Sequence, residues 1–86
     1  MKQVTAHEIR QFVNKRYIEP ARKAGRQQVT IRAGDVHAEM NIANRMPHVC
    51  GAVGANMFER DYRLKRVRRD GPHQGASLRL TFEVLP

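Results

Sequence analysis

The apolar positions along the chain change from helical spacing to alternation. Apolar residues near the N-terminus recur three or four positions apart, as on one helix face: Ile9, Phe12, Val13 and Tyr17. Basic residues between them are expected to face solvent: Arg10, Lys15 and Arg16. Thr5 and Glu8 have the spacing of a capping box at the start of this helix. The pattern predicts one helix over residues 5–24, bent near Pro20.

A strand and a short helix are predicted next. Residues 28–32 alternate β-branched and polar side chains, which is typical of a strand. A turn over residues 33–35 should lead into a short helix over residues 35–41. A tight turn at residues 41–43 then precedes a third helix, so that the second and third helices form a helix-turn-helix unit.

The third helix is predicted over residues 44–58, with Asn44 as N-cap and Pro47 in the first turn. Its apolar side chains form one stripe: Val49, Cys50, Val53, Met57 and Phe58. The other face combines very small residues with hydrogen-bonding ones: Arg45, His48, Gly51, Ala52, Ala55 and Asn56. A face this thin suits close approach of another surface, either a DNA groove or a neighbouring helix.

The period becomes two beyond Arg60. Residues 62–69 are predicted to form a strand whose imperfect alternation allows a bulge. Residues 70–75 have the composition of a turn. Residues 77–84 alternate cleanly and should place four side chains inward: Leu78, Leu80, Phe82 and Val84. The chain should therefore end in an antiparallel hairpin, which makes the fold class α+β.

Length and composition set further limits. Eighty-six residues with 41% apolar content predict one folded domain, residues 1–86. No apolar run reaches the roughly 18 residues of a membrane span, and no signal-peptide region is expected. The single cysteine excludes an internal disulfide, which fits a reducing cytoplasm. The 16 Lys and Arg against 8 Asp and Glu give a net charge of +8, which favours a polyanionic partner.

The cations are concentrated in and just before the hairpin. Six of them lie within ten residues: Arg60, Arg63, Lys65, Arg66, Arg68 and Arg69. Arg79 lies on the returning strand. Such side chains suit phosphate groups, whose contacts position a protein without reading sequence.

The cysteine and the histidines could in principle be catalytic or metal-binding residues, but the sequence favours a structural role for them. Cys50 has His37 and His48 within reach along the chain, but its place on the apolar stripe predicts a buried core thiol. The spacing of these residues matches no common zinc motif. We therefore predict no enzymatic activity, no metal and no cofactor.

The order helix, strand, helix, helix, strand, strand resembles the winged helix-turn-helix superfamily over nearly the whole chain. Residues 29–37 and 44–50 also look like small stand-alone prokaryotic domains of that type. The resemblance implies that the third helix enters the major groove, while the hairpin wing, with Arg68, Arg69 and His73 on or near it, touches the backbone or the minor groove. Together with the charge distribution, it predicts these nucleic-acid-binding residues: Arg45, His48, Ala52, Asn56, Arg63, Lys65, Arg66, Arg68, Arg69, His73 and Arg79.

The hypothesis from sequence is a non-enzymatic module that binds double-stranded DNA. It would act as a transcriptional regulator or as the DNA-recognition component of a larger system, in the cytoplasm and associated with the nucleoid. A homodimer or a larger protein partner is left open. One alternative is an RNA-binding or ribosome-associated module. The other is a winged helix that docks a partner subunit through its thin third helix.

Overall fold

The computed structural model describes residues 4–42, 45–72 and 75–86. Within this part of the chain, helices cover one face of a three-stranded antiparallel sheet, which makes the fold α+β. The helical elements are α1 (Ala6–Val13), a π-helical segment (Asn14–Ile18), α2 (Glu19–Lys23), α3 (Ala33–Met40), α4 (Met46–Gly54) and α5 (Asn56–Tyr62). The strands are β1 (Gln28–Arg32), β2 (Leu64–Asp70) and β3 (Arg79–Val84), in the spatial order β1-β3-β2.

The N-terminal helix begins as predicted. The Glu8 N–H donates to Thr5 Oγ1 (3.1 Å) and the Thr5 N–H to Glu8 Oε1 (3.2 Å), so the capping box is confirmed. The chain then stays helical from residue 6 to residue 23 in three consecutive segments. The π-helical turn lies directly before Pro20, which has no N–H and whose ring crowds the carbonyl four residues earlier.

The sheet agrees with the predicted strands except at their ends. β1 occupies the predicted residues, and the bulge in β2 is confirmed by a register shift between Arg66 and Arg68. β2 begins at Leu64 because Tyr62 is still the last residue of α5. β3 begins two residues later than predicted, at Arg79, after a turn that Gly71 enters with φ of 90°.

Helix α3 begins at Ala33 rather than at Asp35, so the predicted turn over residues 33–35 is wrong. The N–H groups of Ala33 and Gly34 donate to the carbonyls of Leu78 and Ala76, both at 2.9 Å. The segment before β3 thus satisfies amides that a helix start leaves unpaired. The helix ends at Asn41 in the left-handed region, while Ala43 of the predicted turn lies outside the described residues.

The single third helix predicted over residues 44–58 is wrong, because the chain is extended at Ala55 (φ −75°, ψ 143°) and forms α4 and α5 instead. Pro47 lies in the first turn of α4, as predicted. Arg45 occupies the N-cap position, and Asn44 lies outside the described residues. The break also changes the direction of α5, so Met57 is 41% exposed although the stripe predicted it in the core.

Two arginines of the N-terminal helix close the ends of α4 and α5. Arg10 was expected in solvent, but it is 8% exposed and its Nη1 donates to the Ala52 carbonyl (3.3 Å). That carbonyl lies in the last turn of α4, where no intrahelical donor remains. Arg22 Nη2 donates in the same way to the Tyr62 carbonyl (3.0 Å) at the end of α5. Cations at helix C-termini also oppose the negative end of the helix dipole.

The core lies between the helices and the inner face of the sheet. Its largest fully buried side chains come from every layer: Ile9, Val13, Ile18, Ile31, Val36, Val49, Val53, Phe58, Leu80 and Phe82. The rings of Phe58 and Phe82 meet edge to face at 5.4 Å. Leu78 is buried as predicted, while Val84 is only half-buried. None of the described helices is long and apolar enough to cross a membrane.

Replacing Arg10 tests the arginine cap on α4. Arg10→Met keeps the apolar stem but leaves the buried Ala52 carbonyl without a donor, which should lower the free energy of unfolding by about 1–3 kcal/mol. Lys15→Met, on an exposed turn of the same helical stretch, is the control and should change it by less than about 0.5 kcal/mol. Urea unfolding followed by circular dichroism measures both. Equal stability of the two variants would contradict the cap.

Candidate nucleic-acid interface

A groove of about 320 Å³ separates α4 from the hairpin. It is lined by small residues at the end of α4, by two arginines of β2, and by one leucine before β3 and one within it: Cys50, Gly51, Gly54, Ala55, Arg66, Arg69, Leu78 and Leu80. The helix side is almost bare backbone and the strand side carries positive charge. A ligand entering here would meet both at once.

The exposed face of α4 has almost no side chains. Pro47, Gly51 and Gly54 fall on it, at helical spacings of four and three, and Ala55 follows directly in extended conformation. A methyl group added at Gly51 would meet no heavy atom within 4 Å, so this position is open. Gly51 therefore faces outward, as the sequence predicted, whereas Ala55 follows the end of the helix and is half-buried. Another surface could approach the α4 backbone closely at Gly51.

The bulge in β2 turns two arginines toward this face. Arg66 lies opposite Phe82 and Arg69 lies opposite Leu80, and both of these β3 residues point into the core. Without the extra residue Val67, strict alternation would have directed Arg69 to the opposite face. Arg66 Nη1 would lie 3.9 Å from a methyl group at Gly54, which places the guanidinium directly beside the helix.

The other hairpin cations point away from the groove. Lys65, Arg68 and Arg79 are exposed on the outer face of the sheet, across from Glu83, Thr81 and Asp70 respectively. The predicted basic cluster is thus divided between the two faces of the hairpin. Arg63 is exposed at the left-handed residue that follows α5. His73 lies outside the described residues.

The cations also differ in whether a carboxylate is paired with them. Arg68 Nε lies 2.7 Å from Asp70 Oδ2, and Arg60 Nε lies 3.3 Å from Asp61 Oδ1. Among the described residues, no carboxylate pairs with the guanidinium groups of Arg66 or Arg69. These two arginines therefore keep their full charge available to a ligand in the groove.

Two of the four helix residues predicted to face a DNA groove are turned inward. Ala52 is 2% exposed and belongs to the core, so its predicted role is wrong. His48 is half-buried, with Nε2 2.7 Å from the Val4 carbonyl, so it ties α4 to the start of α1. Both lie where α4 packs against α1, at the side on which the Arg10 guanidinium contacts the Ala52 carbonyl. Arg45 and Asn56 remain exposed, at the start of α4 and of α5.

His37 also has a structural partner. Its Nε2 accepts the Arg45 N–H at 3.2 Å, so it caps the amide that precedes α4. In the described part of the chain, no three His, Cys, Asp or Glu side chains cluster as metal ligands would.

Cys50 lies at the bottom of the groove but is only 5% exposed. Its Sγ is 3.8 Å from the Gly75 carbonyl, to which the thiol donates. Burial raises the pKa of the Cys50 thiol, and this outweighs the opposing effect of the nearby Arg69 charge. The thiol is therefore held in its neutral, poorly nucleophilic form, as the core interpretation from sequence predicted.

Alkylation tests this description of Cys50. Because its pKa is raised, the thiolate forms only at higher pH in the folded chain than in the unfolded one. The pH profile of iodoacetamide labelling should shift upward on folding, and labelling near pH 8 should be slower in the folded chain than in urea. Mass spectrometry of quenched samples gives both rates. Coincident profiles would contradict a buried neutral thiol.

None of the available protein-family models, curated proteins or solved structures matches the chain. What the protein binds must therefore be inferred from the groove and from the charges around it.

Proposed function

We propose that the protein is a non-enzymatic module that binds double-stranded DNA, as a transcriptional regulator or as the DNA-recognition component of a larger system. One observation carries the proposal: Arg66 and Arg69, free of ion pairs in the described chain, stand beside a helix face that is almost bare backbone. Guanidinium groups bind phosphate oxygens bidentately. The net charge of +8 adds long-range attraction for a polyanion.

The topology supports the same proposal. The order of helices and strands and the sheet order β1-β3-β2 are compatible with a winged helix. In that interpretation, α3 and α4 form the helix-turn-helix, and β2 with β3 forms the wing. The groove would then lie where the recognition helix and the wing both reach a duplex.

The exposed side chains indicate how such a duplex would be read. Base recognition in the major groove depends on donors and acceptors carried by side chains. The exposed face of α4 carries none, and among the described residues Arg45 and Asn56 stand exposed near its two ends. Contacts to phosphate should therefore supply most of the affinity, with limited discrimination between sequences.

A partner subunit is the second candidate, and one observation favours it. Met57 and Val67 are 41% and 42% exposed, which is high for large apolar side chains. One lies on α5 and the other on β2, and each offers an apolar contact that a partner protein could use. Binding through these residues would not depend strongly on salt.

Removing the two groove arginines tests phosphate contact. The double variant Arg66→Ala and Arg69→Ala should weaken binding to all duplex sequences and lower the slope of log K against log salt by about two. The control is Lys15→Ala with Lys23→Ala, which removes the same charge from exposed helix positions and should change the slope little. Fluorescence anisotropy at several salt concentrations, with duplex DNA and a matched structured RNA, gives the slopes. An unchanged slope in the arginine variant would contradict the proposal, and tighter RNA binding would favour the RNA-binding alternative.

Bulk at Gly51 tests the approach to α4. Gly51→Glu adds a long anionic side chain to an open helix position, so folding should survive while duplex binding is lost. Gly51→Ala is the matched control and should raise stability by about 0.5–1 kcal/mol while retaining binding. Ala52→Glu would not serve, because Ala52 is in the core. A folded Gly51→Glu protein that binds DNA like the wild type would exclude α4 from the interface.

A further inference from the structure

The second edge of the sheet, along β1, is open. The Ala33 N–H donates to the Leu78 carbonyl and the Val84 N–H to the Gln27 carbonyl, so odd-numbered residues of β1 bond to β3. The N–H groups of the even-numbered residues point the other way: Gln28, Thr30 and Arg32. The carbonyls of Gln28 and Thr30 point outward with them.

These outward groups have no bonding partner in the described chain. No described backbone or side-chain atom is hydrogen-bonded to the main-chain N–H or carbonyl of Gln28 or Thr30. The β2 edge differs, because Glu59 Oε1 accepts the outward N–H of Arg66 at 2.8 Å. The β1 edge therefore presents an uninterrupted repeat of donors and acceptors about 6.8 Å apart, as an added strand requires, whereas on β2 the bulge and this carboxylate interrupt the repeat.

A groove of about 710 Å³ runs beside this edge, between β1 and the helical stretch opposite it. Apolar and small side chains contribute to its lining: Tyr17, Pro20, Ala21, Ala24 and Val29. Arg16 and Arg26 add positive charge. The Arg16 guanidinium lies 5.6 Å from the Tyr17 ring centre and 3.5 Å from Glu39 Oε2, so it is held in place at the groove.

We propose that an extended peptide segment of another protein binds as a fourth strand on the β1 edge. Its main chain would pair with Gln28, Thr30 and the Arg32 N–H, and alternate side chains would enter the groove. Those entering side chains should be apolar, to match the lining. Acidic side chains elsewhere in the segment would face the charge of Arg26, which forms no ion pair among the described residues.

Charge favours an acidic peptide over a second copy of the chain as the occupant of the β1 edge. Two copies paired through β1 would each bring a net charge of +8 and an Arg26 that forms no ion pair in the described chain, whereas Arg16 and Arg32 are already paired with Glu39 and Asp35. An acidic peptide removes that repulsion. A nucleic acid has no main chain that alternates donors and acceptors at the strand spacing, so it could use the charges but not the edge.

A synthetic peptide tests the pairing on the unmodified protein. The probe is a blocked six-residue peptide that alternates glutamate and valine, and a lysine-valine peptide is its charge control. Two further versions carry N-methyl groups on one or the other set of alternate amides. Because the alternation fixes which face enters the groove, only one methylated set should abolish binding. The other set should bind within about threefold of the parent.

Two variants of the protein test the same pairing at the β1 edge. Thr30→Pro removes an outward N–H and leaves the bonds to β3 intact, as an edge strand tolerates. Thr30→Val is the matched control, since it keeps the main chain and the branched shape. The peptide should lose about tenfold or more in affinity for Thr30→Pro and little for Thr30→Val. Both variants should retain their affinity for duplex DNA. The peptide proposal and the DNA proposal can therefore be contradicted independently of each other.

Amide chemical shifts in a peptide titration supply the readout. Support requires shifts at residues 28–32 and 16–26, together with loss of binding by a single methylated set. Three results would overturn the proposal. They are no binding at about 1 mM probe, indifference to both methylated sets, and equal binding of the lysine peptide. Concentration-dependent dimerisation that Thr30→Pro abolishes would also overturn it, by assigning the edge to a second copy.

Discussion

The bond from Arg10 to the Ala52 carbonyl is the contact on which the arrangement of the central helices depends. A helix that ends inside a protein leaves carbonyls without donors, and an unpaired buried carbonyl is costly. The guanidinium of Arg10 supplies the donor, so α4 can stop at Gly54 and the chain can turn at Ala55. The turn lets α5 place Phe58 against Phe82, and it leaves the bare face of α4 open to solvent.

The two edges of the sheet differ for equally local reasons. On β2, one extra residue at Val67 brings Arg66 and Arg69 to the same face, and Glu59 covers the outward amide of Arg66. On β1, nothing in the described chain pairs with the outward main chain. The first edge therefore carries charge toward the α4 groove, while the second carries unpaired backbone beside an apolar groove. We propose separate partners for them, a duplex and an extended peptide, because the chemistry of the two sites differs.

The features that depend on residues close together in sequence were predicted correctly. The capping box of Thr5 and Glu8, the strand at residues 28–32 and the irregularity of β2 all follow from neighbours in sequence. The predicted site failed where distant residues decide. Ala52 looked exposed because the predicted apolar stripe was narrow, whereas α4 packs against both α1 and α3 and buries Ala52 together with Val49, Cys50 and Val53. Arg66 and Arg69 were predicted as part of one cationic run, but their separation from Lys65 and Arg68 required the exact position of the bulge.

The most direct test of the central claim is a titration of the isotope-labelled chain with duplex DNA, followed by the amide signals and the arginine Nε signals. The claim is that a polyanion binds between the bare face of α4 and the inward arginines of β2. It predicts the largest changes at the Gly51 and Gly54 amides and at Nε of Arg66 and Arg69, all diminishing as salt is raised. Changes confined to Lys65, Arg68 and Arg79 on the outer face, or no change at low salt, would contradict it.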